Sequence, residues 1–469
     1  MLDLRSFLSS NAAHVCRIGE PLHTNQEITA LQHVMEHEPT QPVLYIEKPL
    51  LDGGKASGIP VVTNLCADRQ LTANVLGFGS HRDAAREITK LITSPIAPVV
   101  VGRSGAPVQE IIYKGEEASL LDLPALRQHS LDAGSYITAG HCTMIDRDSK
   151  VDNTSIQRCL VKGARLMSIF PYPNSHNARN VESFWRHNEP CPVAIWIGHH
   201  PAIVLGAQAK LNYPESHWAT AGGFAREAIR LVPSITHGDR IMVPADAEIV
   251  IEGFVPPHRL EADGPFGEYT GYFGEQIIAP VLEVTCITRR KEAIYHDIGA
   301  GLPDHLVPDN MGMEAKIYAL TRAASPTVVN VHVPYSGRRF HAYIQVKAPP
   351  LGEARDVLAA ALSYRRLRSA IVVDDDIDIF NDSAVLWALA TRVQWHRDQM
   401  LIDGLTHPSL DPSRPMGSST VTKCGIDATL PAAAGPNLPR ACLPVLAASK
   451  EFETKAREVL QRVLTAKVP

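Results

Sequence analysis

The 469-residue sequence predicts a mixed α+β protein in which a central antiparallel sheet or barrel lies between two α/β regions. Three observations predict this. The chain carries 35 Pro and 31 Gly, spread without a period, which favours many short strands and turns over long helices. From about residue 106 to 301, short β-branched runs alternate with Gly/Pro turns. On both sides of that stretch, strand and helix patterns alternate.

The elements follow in chain order. Residues 1–105 read as an α/β cap. Asp3 is the expected N-cap of an opening helix, and residues 43–46 are a short strand. Residues 81–91 are amphipathic and helical, with Ser80 and Asp83 expected to form a capping box. Residues 106–302 hold the short apolar runs 195–197, 202–205, 248–251 and 281–284, each expected to be a strand. Residues 303–440 return to alternating elements: a strand at 370–373 that runs into Asp374-Asp375-Asp376, then a helix over 383–392. Residues 441–469 contain an amphipathic helix over 445–464 and a short tail; such a helix serves an interface or packs on its own domain.

Composition excludes several classes. The 45 Lys+Arg against 50 Asp+Glu give a net charge of -5, which argues against a nucleic-acid binder working by phosphate neutralisation. No apolar run approaches the roughly 20 residues needed to span a bilayer. The nearest, 193–205, is interrupted by His199, His200 and Pro201. The N-terminus has no signal-peptide core, and the eight cysteines form no CxxC pair. They are expected to be small buried apolar residues of a cytoplasmic protein.

Three groups of residues have chemistry to offer. In the first, Asn153-Thr154-Ser155-Ile156-Gln157-Arg158 is followed by His176. An amide oxygen and an imidazole suit a divalent metal such as Mn²⁺, and Arg158 suits bidentate binding of a carboxylate or phosphate. In the second, Asp263-Gly264-Pro265-Phe266-Gly267-Glu268-Tyr269-Thr270-Gly271-Tyr272, two carboxylates bracket a Gly-Pro turn. Carboxylates sharing a cleft push each other's pKa apart, so that one keeps its proton and serves as an acid. In the third, Lys423 stands among small and hydroxyl residues and suits a phosphate. The acidic run from Asp374 to Asp378 reads either as a Mg²⁺ site or as strand-end and capping carboxylates.

At these residues the sequence resembles the UbiD family of decarboxylases, which depend on prenylated FMN. The most specific pieces are Asn153-x4-Arg158, the Asp263 to Tyr272 run, and Asp374-Asp375-Asp376-Ile377-Asp378 followed by Leu386-Trp387-Ala388-Leu389-Ala390-Thr391-Arg392. The resemblance implies a central split β-barrel that binds the flavin, with the α/β cap before it and an α/β oligomerisation domain after it. It implies Asn153, Ser155, Ile156, Gln157 and Arg158 as cofactor-binding residues, with Lys423 at the flavin phosphate. Arg158 matches the catalytic Arg, Glu268 the catalytic acid, and Asp263 the other acidic position. Asn153 and His176 match metal ligands, Mn²⁺ being the implied metal with K⁺ nearby. The family's third ligand is a Glu shortly before an Ala-Gly pair; here His217 stands there, before Ala221-Gly222, with Glu215 two residues earlier. Arg230 occupies a position where many relatives have another Glu.

The expected activity is reversible decarboxylation of an aromatic, heteroaromatic or α,β-unsaturated acid, with Tyr295, His296 and Phe273 as candidate pocket residues. The expected partners are that acid, a flavin prenyltransferase as cofactor supplier, and further copies of the chain in a homodimer or larger assembly. The alternatives are a metal-dependent phosphate-ester hydrolase built from Asn153, His176 and the Asp374–Asp378 run, or a non-catalytic flavin-binding or assembly protein.

Overall fold

A computed structural model describes residues 2–173, 175–414, 417–431 and 443–465. The chain opens as expected. Asp3 caps the helix Leu4–Ser10 through a capping box with Ser6, and Leu4, Phe7 and Leu8 bury its inner face. In the cap, Val15–Ile18, Val43–Ile46 and Val61–Thr63 form a sheet whose fourth strand, Tyr295–His296, comes from the far end of the central region. That pairing ties the cap to the residues that close the barrel region.

The central sheet has ten strands. Its path runs Asp152–Ile156, His141–Ile145, Cys191–Ile197, Ile249–Val255, Ile277–Arg289, Leu166–Ser168, Cys159–Gly163, Tyr136–Ile137. Leu260–Asp263 and Ile111–Lys114 also pair with the 13-residue strand Ile277–Arg289. Asp152–Ile156 begins this path and Cys159–Gly163 lies near its other end, yet only Gln157 and Arg158 separate them in sequence. A sheet whose two ends must come within two residues of each other has to curl, and the result is a half-barrel with Arg158 at its seam. Its interior is a continuous apolar cluster that includes Cys142, Met144, Ile195, Trp196, Ile249 and Ile251.

The C-terminal sheet orders Val328–His332, His341–Val346, Ser369–Asp374, Thr420–Asp427 and Gln399–Thr406, with the helices Pro303–Ala324 and Glu353–Leu362 packed on it. Ser369–Asp374 matches the expected strand, and Asp382–Arg392 the expected helix.

Several sequence expectations are corrected. Residues 202–205 are helical, not a strand: Pro201 takes the first position of Pro201–Gly206, and the His200 ring accepts from the Ala202 N–H. Ser80 caps a 3₁₀ turn over His81–Asp83 through Arg82, while Asp83 pairs with Arg86. The α-helix proper is Ala84–Ile92. Pro303–Ala324 is a long helix of 22 residues despite two prolines. Pro303 lies in the first turn, where its missing donor costs nothing, and Pro308 deprives only the Asp304 carbonyl. The final helix spans Lys450–Thr465, and Phe452, Val459, Leu460 and Val463 on it are exposed. Of the cysteines, Cys442 lies outside the described residues and Cys16 is exposed, while Cys66, Cys142, Cys159, Cys191 and Cys286 are buried thiols. No described helix is long and apolar enough to cross a membrane.

Candidate active site

Arg158 occupies the two-residue link at the seam. Asp263 ends the strand Leu260–Asp263, and Glu268 follows Phe266–Gly267, whose hairpin partner is Phe273–Gly274. Between the two acids the chain turns at Gly264. Its φ of +90° and a Cβ position 2.9 Å from the Glu275 carbonyl oxygen leave room for glycine alone. The Glu268 N–H donates to the Tyr272 carbonyl at 2.9 Å and the Gly271 N–H to Glu268, so a tight turn fixes the backbone that carries the acid.

These elements bring all three side chains together. Arg158 donates from Nε to Asp263 Oδ1 at 3.1 Å, Nη2 lies 2.9 Å from the same oxygen, and Nη1 donates to Glu268 Oε1. The Ser168 hydroxyl donates to the other Asp263 oxygen. Asp263 is fully buried, and Arg158 and Glu268 keep 11% and 12% of their side-chain surface open. The rings of Phe170 and Phe266 lie 5.1 and 5.3 Å from the guanidinium carbon, within cation–π range. One guanidinium thus serves two carboxyls in an apolar wall. Burial pushes the Glu268 carboxyl above its ordinary value; Arg158 and Arg339 oppose this, and the Asp263 charge adds to it. The environment of Glu268 favours its protonated form.

Of the residues matched to a metal, Asn153 and His176 are in contact, and the His217 ring is near enough for the His176 charge to act on it. The Asn153 amide nitrogen donates to Asn177 at 2.7 Å, and its Oδ1 lies 3.3 Å from His176 Nδ1. His176 and His217 each begin a helix, His176–Trp185 and His217–Ala225. Burial lowers both imidazoles, that of His217 to about 4, so both rings are neutral and able to ligate. His217 Nδ1 is buried without a hydrogen-bond partner among the described residues. No three His, Cys, Asp or Glu side chains cluster among the described residues, so this donor set is an amide and two imidazoles. It fits a divalent metal in donor type, with less negative charge than a set containing Glu. Next to it, the Ser155 hydroxyl accepts from Asn177, and the Ile156 N–H donates to Gln208.

A cavity of about 320 Å³ opens where the cap, the half-barrel and the C-terminal region meet. Ile156, Gln157, Arg158, Glu268 and His296 line it. His296 is 2% exposed, burial lowers its pKa to about 3, and neither ring nitrogen has a hydrogen-bond partner among the described residues. The other two candidate pocket residues lie elsewhere. Tyr295 is fully buried behind the lining, and Phe273 is 40% exposed with its ring edge-on to His129. Lys423 also lies away from the cavity wall. It is 1% exposed and donates to the carbonyls of Leu362 at 3.0 Å and Tyr364 at 2.8 Å. A lysine whose ammonium is satisfied by two backbone carbonyls braces the strand–helix contact.

The acidic run is engaged in pairs. Asp376 binds Arg392 bidentately and Asp378 binds Arg82 bidentately, while Asp374 accepts from the Leu430 N–H. This is the strand-end role for Asp374, Asp376 and Asp378, and it disfavours the hydrolase alternative. Arg230 pairs with Asp246 at 3.2 Å and with the Gly105 carbonyl, away from the cavity.

Sequence reasoning missed several ionisable residues of the lining, Asp304 and His305 among them, and four that cluster: Lys210, Asp309, Arg339 and Arg366. Asp309 lies 2.9 Å from Lys210 Nζ, 3.1 Å from Arg339 Nε and 2.8 Å from Arg366 Nη1. The four lie on separate segments with no shared spacing, so only their side-by-side arginine doublets, 338–339 and 365–366, were visible beforehand.

Comparison with known proteins bears on the whole chain. Family models of 3-octaprenyl-4-hydroxybenzoate carboxy-lyase match its N-terminal domain at residues 10–92, its Rift-related domain at 99–303 and its C-terminal domain at 310–428. The anhydromevalonate phosphate decarboxylase of Methanothermobacter thermautotrophicus is 29% identical over 439 residues, covering 93% of this chain and 99% of that protein. The UbiD-class enzyme HmfF from Pelotomaculum thermopropionicum, solved with FMN, superposes with a TM-score of 0.89 at 33% identity, covering 97% of this chain and 99% of that one. The 3,4-dihydroxybenzoic acid decarboxylase of Enterobacter cloacae gives a TM-score of 0.85 at 26% identity, covering 97% and 99%.

Proposed function

The chain belongs to the UbiD family and is a carboxy-lyase, and on that premise we propose that it is a prenylated-FMN-dependent, reversible decarboxylase of an aromatic, heteroaromatic or α,β-unsaturated acid. The observation that carries this reading is the buried Arg158 held between Asp263 and Glu268 on the cavity wall. Decarboxylation leaves an electron pair on carbon, and the flavin supplies the sink that no side chain offers. The chain's own residues do the rest. Arg158 orients the substrate carboxylate. Asp263 positions Arg158. Glu268, its proton retained by burial, delivers that proton to the carbon once CO₂ has left. His296 offers two free ring nitrogens to a polar group of the substrate.

Asn153, His176 and His217 would hold Mn²⁺ at the flavin phosphate, with K⁺ beside it and a flavin prenyltransferase supplying the cofactor. The exposed apolar residues of Lys450–Thr465 support a homodimer or larger homo-oligomer. One relative in the family, an evolved form of HmfF, is dimeric. The test is co-expression with a flavin prenyltransferase, mass spectrometry of the bound cofactor, and a screen of unsaturated and aromatic acids for CO₂ release. Protein that stays colourless, or coloured protein that releases no CO₂ from any acid, would refute the reading.

A further inference from the structure

The cavity has a second charged wall that the decarboxylation chemistry does not use. Lys210, Arg339 and Arg366 surround the single carboxylate of Asp309, three cations against one anion. Burial pushes the Asp309 carboxyl up, but Arg339, Lys210 and Arg366 outweigh it and hold the group well below its ordinary value. In formal charge the cluster carries two more cations than anions, with burial opposing the charge on Lys210 and Arg339 and Asp309 supporting it. Arg339 is 6% exposed and spends Nη2 on the His305 carbonyl. Lys210 and Arg366 keep 29% and 27% of their side-chain surface, and both line the cavity. Apart from Asp309, neither has a side-chain acceptor among the described residues. The rest of the lining mixes apolar residues such as Leu65, Leu76, Ile88, Val204 and Phe224 with polar ones, and its further carboxylate, Asp304, accepts from the backbone N–H groups of Asn64 and Cys66. Arg158, the other cation of the cavity, is neutralised by Asp263 and Glu268.

Cations in excess of their carboxylate, with N–H donors that no other side chain takes up, form an anion receptor on the cavity wall. We propose that Lys210, Arg339 and Arg366 bind a second anionic group, a carboxylate or phosphate, carried by the acid substrate. The meaning of the site rests on the decarboxylase reading, but its test does not.

The same anion chemistry would also suit the phosphate of the flavin, so the experiment separates the two. Inorganic phosphate is titrated calorimetrically into FMN-loaded and FMN-free protein. The expected result is binding to the FMN-loaded form, weakened at least tenfold in Arg366→Gln and in Lys210→Met, with bound FMN unchanged. Arg366→Lys, which keeps the charge, should recover much of the binding. The unfolding midpoint of each variant separates lost binding from lost fold. Phosphate binding confined to FMN-free protein, with FMN lost from the variants, would assign the cluster to the flavin and overturn the proposal. Absence of binding, or binding indifferent to all three substitutions, would overturn it too. Failure of the decarboxylase reading would instead show as phosphate binding without CO₂ release from any acid.

Discussion

Asp263→Ala tests the buried trio most directly. Asp263 is fully buried, and two Arg158 nitrogens lie 2.9 and 3.1 Å from one of its oxygens. Deleting one partner of a buried ion pair strands the other and costs roughly 3–5 kcal/mol. Glu268 still holds Nη1, so the loss belongs near the lower end, about 3 kcal/mol. Urea unfolding of flavin-free protein at neutral pH measures it. Activity gives a second readout. The Asp263 charge helps to raise the Glu268 carboxyl, and Arg158 lowers it. Without Asp263 the first influence disappears and the second acts on Glu268 alone, so its pKa falls. An acid with a lower pKa gives up its proton at lower pH, and the alkaline fall in turnover should move toward lower pH. A stability loss under about 1 kcal/mol, or an alkaline limb that stays in place or moves upward, would refute the account of Asp263 as the residue that positions Arg158.

Glu268→Gln should lower turnover by roughly 10²–10⁴-fold while flavin stays bound; a wild-type rate of CO₂ release would remove Glu268 as the acid. His217→Ala should lower manganese and flavin content together by elemental analysis and absorbance, whereas His217→Glu, which adds a negative charge, should raise manganese retention; normal content of both in His217→Ala would exclude that ring from the metal. Lys423→Met leaves two buried carbonyls without their donor and should cost roughly 1–3 kcal/mol in thermal or urea unfolding while flavin content holds. Loss of flavin with unchanged stability would return Lys423 to the flavin phosphate.

The parts legible in the sequence were those encoded locally. Asp3 and its helix, the strands at 43–46 and 370–373, and the Gly-Pro turn between Asp263 and Glu268 each carry their signal within a few residues. The motif order around Arg158, Asp263 and Glu268 placed the three in one site, and burial joined them there. What escaped depends on contacts distant in sequence. The run 202–205 has strand-like residues, but Pro201 and the His200 cap decide for helix. The charged wall of Lys210, Asp309, Arg339 and Arg366 joins four segments, and nothing in any one of them marks it. Tyr295 and His296 are neighbours in one strand, so only one of the pair faces the cavity. The surroundings of Lys423 were not legible either, because a lone lysine among small residues reads the same whether it meets a phosphate or two carbonyls.

The seam of the half-barrel has a mechanical consequence. Arg158 sits where the sheet's two ends approach without a shared ladder, and the carboxyls it holds hang from the strand Leu260–Asp263 and the hairpin beyond it. The trio therefore acts as a staple across a gap that backbone hydrogen bonds do not close. Widening the gap lengthens the Arg158–Glu268 contact, weakens the influence that lowers Glu268, and tightens that residue's hold on its proton. Narrowing it does the reverse. A change in sheet curvature that moved Arg158 away from Glu268 would therefore be expected to strengthen the hold of Glu268 on its proton.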